Sequence, residues 1–535
     1  MGNSYYSVSD YSLSNWSLNN FIEAYGNPKA FKMLGNSFAF AGGSMAVSLI
    51  LGGTLAFLVE RTNTPLRNIL YGLMFIPLAT PSILKAIAWI LLLSPTIGLL
   101  NYGWLALGFS QPLFNPYTLP AMCWVEGISM SPLTFLMLGA SLRAMDPSLE
   151  EAAFTSGAGK PTTLFRITFR LMAPALAGVA LLLFVRGMEA LEVPLIMGLG
   201  AGFRVFSTNI YQAVRIVSPP LYTHAYAYSM VLVAISFIGV ILYQRVLARS
   251  ERYATITGKG YRPRIMDLGK WRPYAGGFVL FFVLVALVLP LLVLIWGSLL
   301  PLYYVPSLEA LKLVSLDNYR ELFKLTTFTL AVKNTVIICA VVSVGGMLLA
   351  TLVSWMVIRM RTRAGKVLDY LAFIPYAVPS IAIGFGIMVV FLAFPNPIYA
   401  SIWIMMLAYM VKFLPIGTRF THAGVAQIRS ELEEAAASSG AGMFEVLRRV
   451  TIPLLLPSLI GGGLFICLLC AKVLAMAIIL WTPDTIILPV LILHYWDSGG
   501  IPLTAALSVI MVLALIIITI VARKLGQRRA IVAEA

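Results

Sequence analysis

The sequence predicts an all-α polytopic membrane protein built as two parallel repeats. Composition, the length of the apolar runs and a pair of internal matches carry that expectation. Of 535 residues, 59% are apolar and 11% charged, and the mean hydropathy is +0.88. Soluble domains carry about 25% charged residues, so a water-soluble fold is excluded first.

A spanning helix needs about 20 mostly apolar residues. Such runs predict eleven spans, at 36–59, 68–94, 119–142, 171–193, 222–247, 274–300, 331–358, 368–394, 398–420, 453–480 and 503–522. Lipid offers no partner to backbone N–H and C=O groups, and runs this long are helical rather than strands of a β-barrel.

The formal charge is +16, from 38 basic and 22 acidic residues. Alternate loops divide the cations unevenly: one set (60–67, 143–170, 245–272, 359–366, 419–449, 523–529) holds 26 and the other holds 8. Positive charge collects in cytoplasmic loops, so the first set is expected inside, with the N-terminus outside and the C-terminus cytoplasmic. That explains the basic excess without a nucleic-acid partner. The first 35 residues lack an apolar core and do not read as a signal peptide.

Cys123, Cys339, Cys467 and Cys470 all sit in apolar runs. The Cys467/Cys470 pair is read as packing, and His224, His422 and His494 lie far apart, so no metal site and no catalytic constellation is expected.

Self-comparison is the most informative operation. Glu150, Glu151, Ala152, Ala153 and Gly157 recur at an offset of 283 as Glu433, Glu434, Ala435, Ala436 and Gly440, and Arg166 and Pro174 meet Arg449 and Pro457. Upstream the offset is 298: Asn36 meets Asn334, and Pro77 and Pro81 meet Pro375 and Pro379. The outer loop 95–118, longer than its partner 395–397, absorbs the difference. An even number of spans separates the two Glu-Ala-Ala segments, so both are expected in the cytoplasm, with the halves related by an axis along the membrane normal and a pathway between them. The expected organisation is a first repeat at 1–248 (about five spans), a basic linker at 249–273 and a second repeat at 274–535 (about six spans). The first repeat has no counterpart of the 274–300 span. Either an eleven-span form or a start upstream of Met1 accounts for that.

Within each repeated loop, at 143–170 and 421–452, Glu-Ala-Ala followed by Gly suits a short helix, a tight turn and a second helix. Small Ala side chains allow close approach, and Gly permits backbone angles closed to other residues. Such a pair of exposed helices is what a two-fold cytoplasmic partner would grip.

The pattern Glu-Ala-Ala-x3-Gly-x9-Ile-x-Leu-Pro resembles the signature of membrane subunits of binding-protein-dependent ABC importers. The second copy matches at Glu434, Ala435, Ala436, Gly440, Val450, Ile452 and Pro453; the first matches at Glu151, Ala152, Ala153, Gly157 and Ile167 but has Phe169 and Arg170 where Leu-Pro is usual. The stretches 90–101 and 184–194 are similar to fused permeases of the ferric-iron, thiamine, polyamine and aminophosphonate group.

That resemblance implies a type I importer permease of the cell inner membrane, itself not an enzyme. Two copies of a cytoplasmic ATPase would dock on the two loops and bind the ATP and Mg, with no cofactor in this chain. An extracytoplasmic binding protein would deliver the solute. Iron(III) is the expected solute, and a small organic solute (polyamine, thiamine or aminophosphonate) is the alternative. An ion-coupled secondary transporter is the rival mechanism; it predicts mid-membrane carboxylates in both halves, whereas Glu189 aligns with Lys472.

The run Gly157–Thr162 imitates a phosphate loop, but Phe154 and Pro161 stand where Gly and Ser or Thr are required. Inside the membrane, charges face a cavity or a partner. Arg186, Glu189 and Glu192 share one predicted helix, and Glu189 with Lys472 is a candidate gate, against the alternative of helix-end charges reaching the interface. Glu126, Lys85 and Lys412 are weaker candidates. Pro77, Pro81, Pro375 and Pro379 interrupt corresponding spans and point toward the pathway.

Overall fold

The computed structural model describes residues 19–146, 148–250, 265–360, 362–393 and 398–534. Most of the expected linker, residues 251–264, lies outside them, as do residues 394–397 of the expected short outer loop. Among the described residues the chain is helical, and the one isolated β-bridge joins Thr62 to Met266.

Nine described helices are long and apolar enough to cross a membrane: Pro28–Arg61, Leu119–Ala144, Leu164–Glu189, Tyr222–Val246, Gly269–Ser298, Thr326–Arg359, Ile402–Gln427, Met443–Lys472 and Ile501–Val521. Each overlaps one expected span, but the helices expected at 171–193 and 453–480 end at Glu189 and Lys472, so Glu192 lies beyond the helix that carries Arg186 and Glu189. The two remaining expected spans are broken. Ile69–Ala79 and Ser82–Leu93 meet at 96°, and Arg363–Ala377 and Ser380–Ala393 meet at 109°. Counting each bent pair as one span gives the expected eleven.

The prolines explain the breaks. The carbonyl of Pro77 would bond the amide four residues on, but residue 81 is proline and has no N–H. Lys85 replaces that donor: its Nζ reaches the Pro77 carbonyl at 2.7 Å, and the side chain is buried. At the second break, Lys412 Nζ donates to the Val378 carbonyl at 2.7 Å. Each break therefore ends in a lysine ammonium, which satisfies a carbonyl that lipid could not.

The chain divides into two compact units. Of the described residues, one takes those within 21–213 and 221–314, and the other takes those within 19–20, 214–220 and 315–534. In the first unit, helix Pro28–Arg61 starts at Asn27, whose side chain accepts from the Lys29 amide, with Pro28 in the first turn. It packs along Leu119–Ala144, where a buried hydroxyl pair, Ser48 and Thr134, meets at 2.7 Å. In the second unit, Thr326–Met360 packs along Ile402–Gln427 through Ser354 and Thr421, also at 2.7 Å. Small and hydroxylated residues hold membrane helices together because apolar contact with lipid is equally good.

The repeat extends to the far end of these helices. Asn36 Nδ2 donates to the Arg204 carbonyl at 3.0 Å, and Asn334 Nδ2 donates to the carbonyls of Asp484 and Ile486 at 3.0 Å. The next residues repeat the theme: the Ser37 hydroxyl accepts from the Phe206 amide, and the Thr335 hydroxyl accepts from the Leu488 amide.

Helix Gly269–Ser298, which follows the linker in sequence, packs in the first unit. Its Leu289–Ser298 turns lie against Ser82–Leu93, and Tyr303 donates to the Leu91 carbonyl at 3.2 Å. Residues Ile83–Leu93 are all buried, so that apolar half-helix receives the cover it needs. The sequence repeat thus runs five then six spans, while the packed units hold six and five.

Candidate partner-docking loops and membrane charges

Each repeated loop folds as a short helix, a left-handed turn and a second helix. In the first copy Ser148–Thr155 precedes Gly157 at φ +82°, and the chain re-enters helix at Lys160. In the second, Ser430–Ser438 precedes Gly440 at φ +90°, with helix resuming at Met443. A Cβ at either glycine would meet open space, so only the backbone angle selects glycine.

The two adjacent glutamates have opposite fates. Glu150 and Glu433 are buried, whereas Glu151 and Glu434 are exposed together with Ala152 and Ala435; Ala153 and Ala436 are half-buried. Glu433 Oε2 accepts from Arg359 Nε at 2.7 Å, and its Oε1 accepts from the Thr451 hydroxyl at 2.8 Å. Arg359 Nη2 also donates to the Ile428 carbonyl at 3.0 Å. The first copy repeats this: Glu150 Oε1 accepts from Thr168 at 2.7 Å and faces Arg61 Nη2 at 3.4 Å. Arg61 and Arg359 are 298 apart, and both Glu and both Thr are 283 apart. One carboxylate therefore ties the loop to the end of an earlier long helix, Pro28–Arg61 or Thr326–Met360, and to the start of the helix that follows the loop.

What the loop leaves to solvent is a patch of one carboxylate, small side chains and a turn. Leu149 and Leu432 are exposed beside it, and in the second copy so are Met443 and Phe444. This surface combines apolar area, small side chains that allow close approach and one charge.

In the membrane, Pro77, Pro81 and Pro379 are buried and Pro375 is half-buried at the two breaks. Arg186 is exposed, while Glu189 and Glu192 are half-buried. Glu126 is buried near Lys85, Arg186 and Glu192, close enough for their charges to act on it. The first unit thus holds a charged group built from four elements. At the position of Glu126 the second repeat has Tyr409, buried and donating to the Val473 carbonyl at 2.7 Å. Glu189 and Lys472 are the last residues of Phe169–Glu189 and Ile452–Lys472, equivalent ends of equivalent helices. Cys339 Sγ lies 3.6 Å from the Cys467 carbonyl, and no group of three metal-ligating side chains occurs among the described residues.

Sequence comparison reaches both halves. The pattern of the binding-protein-dependent transport system inner membrane components matches residues 48–252 and 342–531. The chain belongs to this family. It is a multi-pass inner-membrane permease of the ABC importer type, with the family's segment present twice. It is 25% identical over 493 residues to the ferric transport system permease protein FbpB of Actinobacillus pleuropneumoniae, covering 91% of this chain and 70% of that one. It is 26% identical to the putative ferric transport system permease protein FbpB 1 of Haemophilus influenzae, covering 81% and 67%. A putative 2-aminoethylphosphonate transport system permease protein, PhnV of Salmonella paratyphi A, is 30% identical over 30% of this chain and 63% of its own length.

Three features of the permease escaped the sequence reading. In the sequence Arg61 and Arg359 stand only as loop charges, and Thr168 and Thr451 carry no signal of their own. Applying the two offsets separately to charged and hydroxylated residues would have found all four. The lysine caps carry no such signal, because Lys85 aligns with Ile383 and Lys412 with Ser129.

Proposed function

We propose that the permease forms the solute pathway of an ATP-driven importer and that its two Glu-Ala-Ala loops are the sites where two copies of a cytoplasmic ATPase dock. The supporting observation is the twice-built lock of Arg, Glu and Thr. It buries one glutamate of each pair as a strut and leaves Glu151 and Glu434 outside on a braced surface. A loop that transmits force needs such bracing, and a loop with no partner does not. ATP and Mg would reside in the ATPase, so this chain supplies no cofactor. Both loops and the C-terminus would face the cytoplasm, with the N-terminus outside, as the charge asymmetry argues.

The solute is proposed to be iron(III), handed over by an extracytoplasmic binding protein. Support comes from the two ferric relatives, which align over most of this chain. The acidic excess at Glu126, Glu189 and Glu192 over Lys85 and Arg186 in the first unit suits a cationic cargo. Pro77, Pro81, Pro375, Pro379 and the charges Arg186, Glu189, Glu192 and Lys472 are the proposed pathway and gate residues. An aminophosphonate is the second reading, favoured by the PhnV alignment and by Lys472.

The test is reconstitution. The permease is purified with a candidate partner ATPase and placed in vesicles, and hydrolysis is measured with binding protein loaded with ferric iron or with aminoethylphosphonate. Stimulation by the iron-loaded form alone supports the first reading. Failure of any ATPase to co-elute overturns the coupling assignment.

A further inference from the structure

The loop at 95–118 belongs to the first unit and lies at the opposite end of helix Leu119–Ala144 from the first repeated loop. It is uncharged: no Lys, Arg, Asp, Glu or His occurs between Lys85 and Glu126. Its apolar side chains are nonetheless turned outward. Tyr102, Leu107, Phe109, Leu113, Phe114 and Tyr117 are all exposed, Leu107 at 76%. A contiguous apolar patch of this kind marks a surface that something other than water covers.

The exposure is fixed by the fold. Asn101 is buried in the neck of the loop, where its Nδ2 donates to the Leu93 carbonyl at 2.9 Å and to the Phe114 carbonyl at 2.8 Å. Its Oδ1 accepts from the Phe114 amide at 2.9 Å. The Trp104 and Phe109 rings stack 3.6 Å apart across a turn at Gly108, whose φ is +96°. One asparagine thus satisfies backbone groups at the neck internally, which an apolar surrounding demands.

The depth of the neck can be read from its neighbour in the same unit. Helix Gly269–Ser298 turns Leu280, Phe281, Leu284 and Leu292 outward as a lipid-facing stripe, and Trp296 stands near its end. Trp296 Nε1 donates to the Tyr304 carbonyl at 2.7 Å, and the Tyr303 hydroxyl donates to the Leu91 carbonyl at 3.2 Å. Trp and Tyr gather where the hydrocarbon meets the headgroups. The loop therefore leaves the protein at that level. A soluble partner is steered and oriented by complementary charge, and this loop offers none.

We propose that the loop at 95–118 is seated in the headgroup–acyl boundary of the bilayer, with Tyr102, Leu107, Phe109 and Leu113 against phospholipid. The anchor is one-sided, because the second repeat has only residues 395–397 at the corresponding place. It holds the first unit to the membrane surface and is independent of the solute and of any ATPase.

The test uses the full-length permease without its four native cysteines, in phosphatidylcholine nanodiscs and with no other protein present. A nitrobenzoxadiazole label is placed at exposed Ser110→Cys, and separately at exposed Ser439→Cys as a reference in water. Emission at residue 110 is expected to fall at least about twofold when the lipid is brominated near the top of its acyl chains, the depth at which interfacial segments lie. Iodide should quench it far less than the label at residue 439. Leu107→Asp with Leu113→Asp, both at exposed positions outside the Asn101 neck, should abolish the bromolipid effect and raise iodide quenching. If residue 110 responds to iodide as residue 439 does and ignores brominated lipid, the proposal is overturned and the loop is left as a docking face for a soluble protein. Shielding from both quenchers overturns it in favour of a second copy of the chain. Undiminished bromolipid quenching in the Asp variant also overturns it, and the unsubstituted loop decides the matter if that variant fails to fold.

Discussion

Arg359 donates from Nε to Glu433 Oε2 at 2.7 Å, joining the end of one membrane helix to the loop that follows the next but one. The Thr451 hydroxyl completes the joint on the other carboxylate oxygen. Removing one partner of a largely buried pair strands the other charge, at a cost of about 3–5 kcal/mol. Glu433→Ala is therefore expected to loosen the loop before it affects any partner. Hydrogen exchange at amides 430–440 should rise sharply, and the charge-reversed pair Arg359→Glu with Glu433→Arg should restore part of the protection. Unchanged exchange in Glu433→Ala would show that the pair is not a strut.

The neighbouring glutamates should behave in the opposite way. Glu151 and Glu434 are exposed, so Glu151→Lys with Glu434→Lys should leave insertion and thermal stability intact. Uptake should fall by about tenfold or more, because a repelled charge in a docking surface weakens both contact and register. Wild-type uptake by the double variant would remove these residues from the partner surface.

Lys85 and Lys412 offer a test inside the membrane. Each ammonium holds a carbonyl at a proline break. Lys85→Met keeps the length of the side chain and removes the donor, leaving an unsatisfied carbonyl at a cost of about 1–3 kcal/mol. The melting temperature of the detergent-purified protein should drop, and it should drop further in the Lys85→Met, Lys412→Met double variant. An unshifted melting curve would mean that water or another group supplies the bond.

Gly157 and Gly440 isolate the backbone term. With open space around each, alanine meets no clash and suffers only the left-handed angle, about 1–2 kcal/mol. Gly440→Ala should therefore reduce protection of the Ser430–Ser438 helix, and Gly440→Asn should reduce it less, because asparagine tolerates that angle. Equal effects of the two substitutions would point to a steric cause instead.

Much of this architecture was written in the chain. The apolar runs located the spans, and the matched prolines located both breaks, because proline removes a donor wherever it stands. The 96° and 109° angles were not legible, since a missing bond permits many bend angles and packing selects one. The loops were read correctly as helix, turn and helix from Glu-Ala-Ala and Gly. The reading treated Glu150 and Glu151 alike, because only the tertiary position of Arg61 and Thr168 separates strut from surface. The lysine caps were invisible to self-comparison for a physical reason. A long flexible side chain reaches a freed carbonyl from many backbone positions, so two repeats solved one problem from unrelated sites.

The central claim is that two like loops, one per repeat, present themselves on the same side of the membrane to the same partner. Ser156→Cys and Ser439→Cys place a thiol at equivalent exposed positions one residue before each turn glycine, in a background freed of the four native cysteines. A membrane-impermeant maleimide is applied to intact cells and to inside-out vesicles. Labelling of both positions only in inside-out vesicles, blocked by added ATPase subunit, is the predicted result. Labelling of one position from each side would contradict the account.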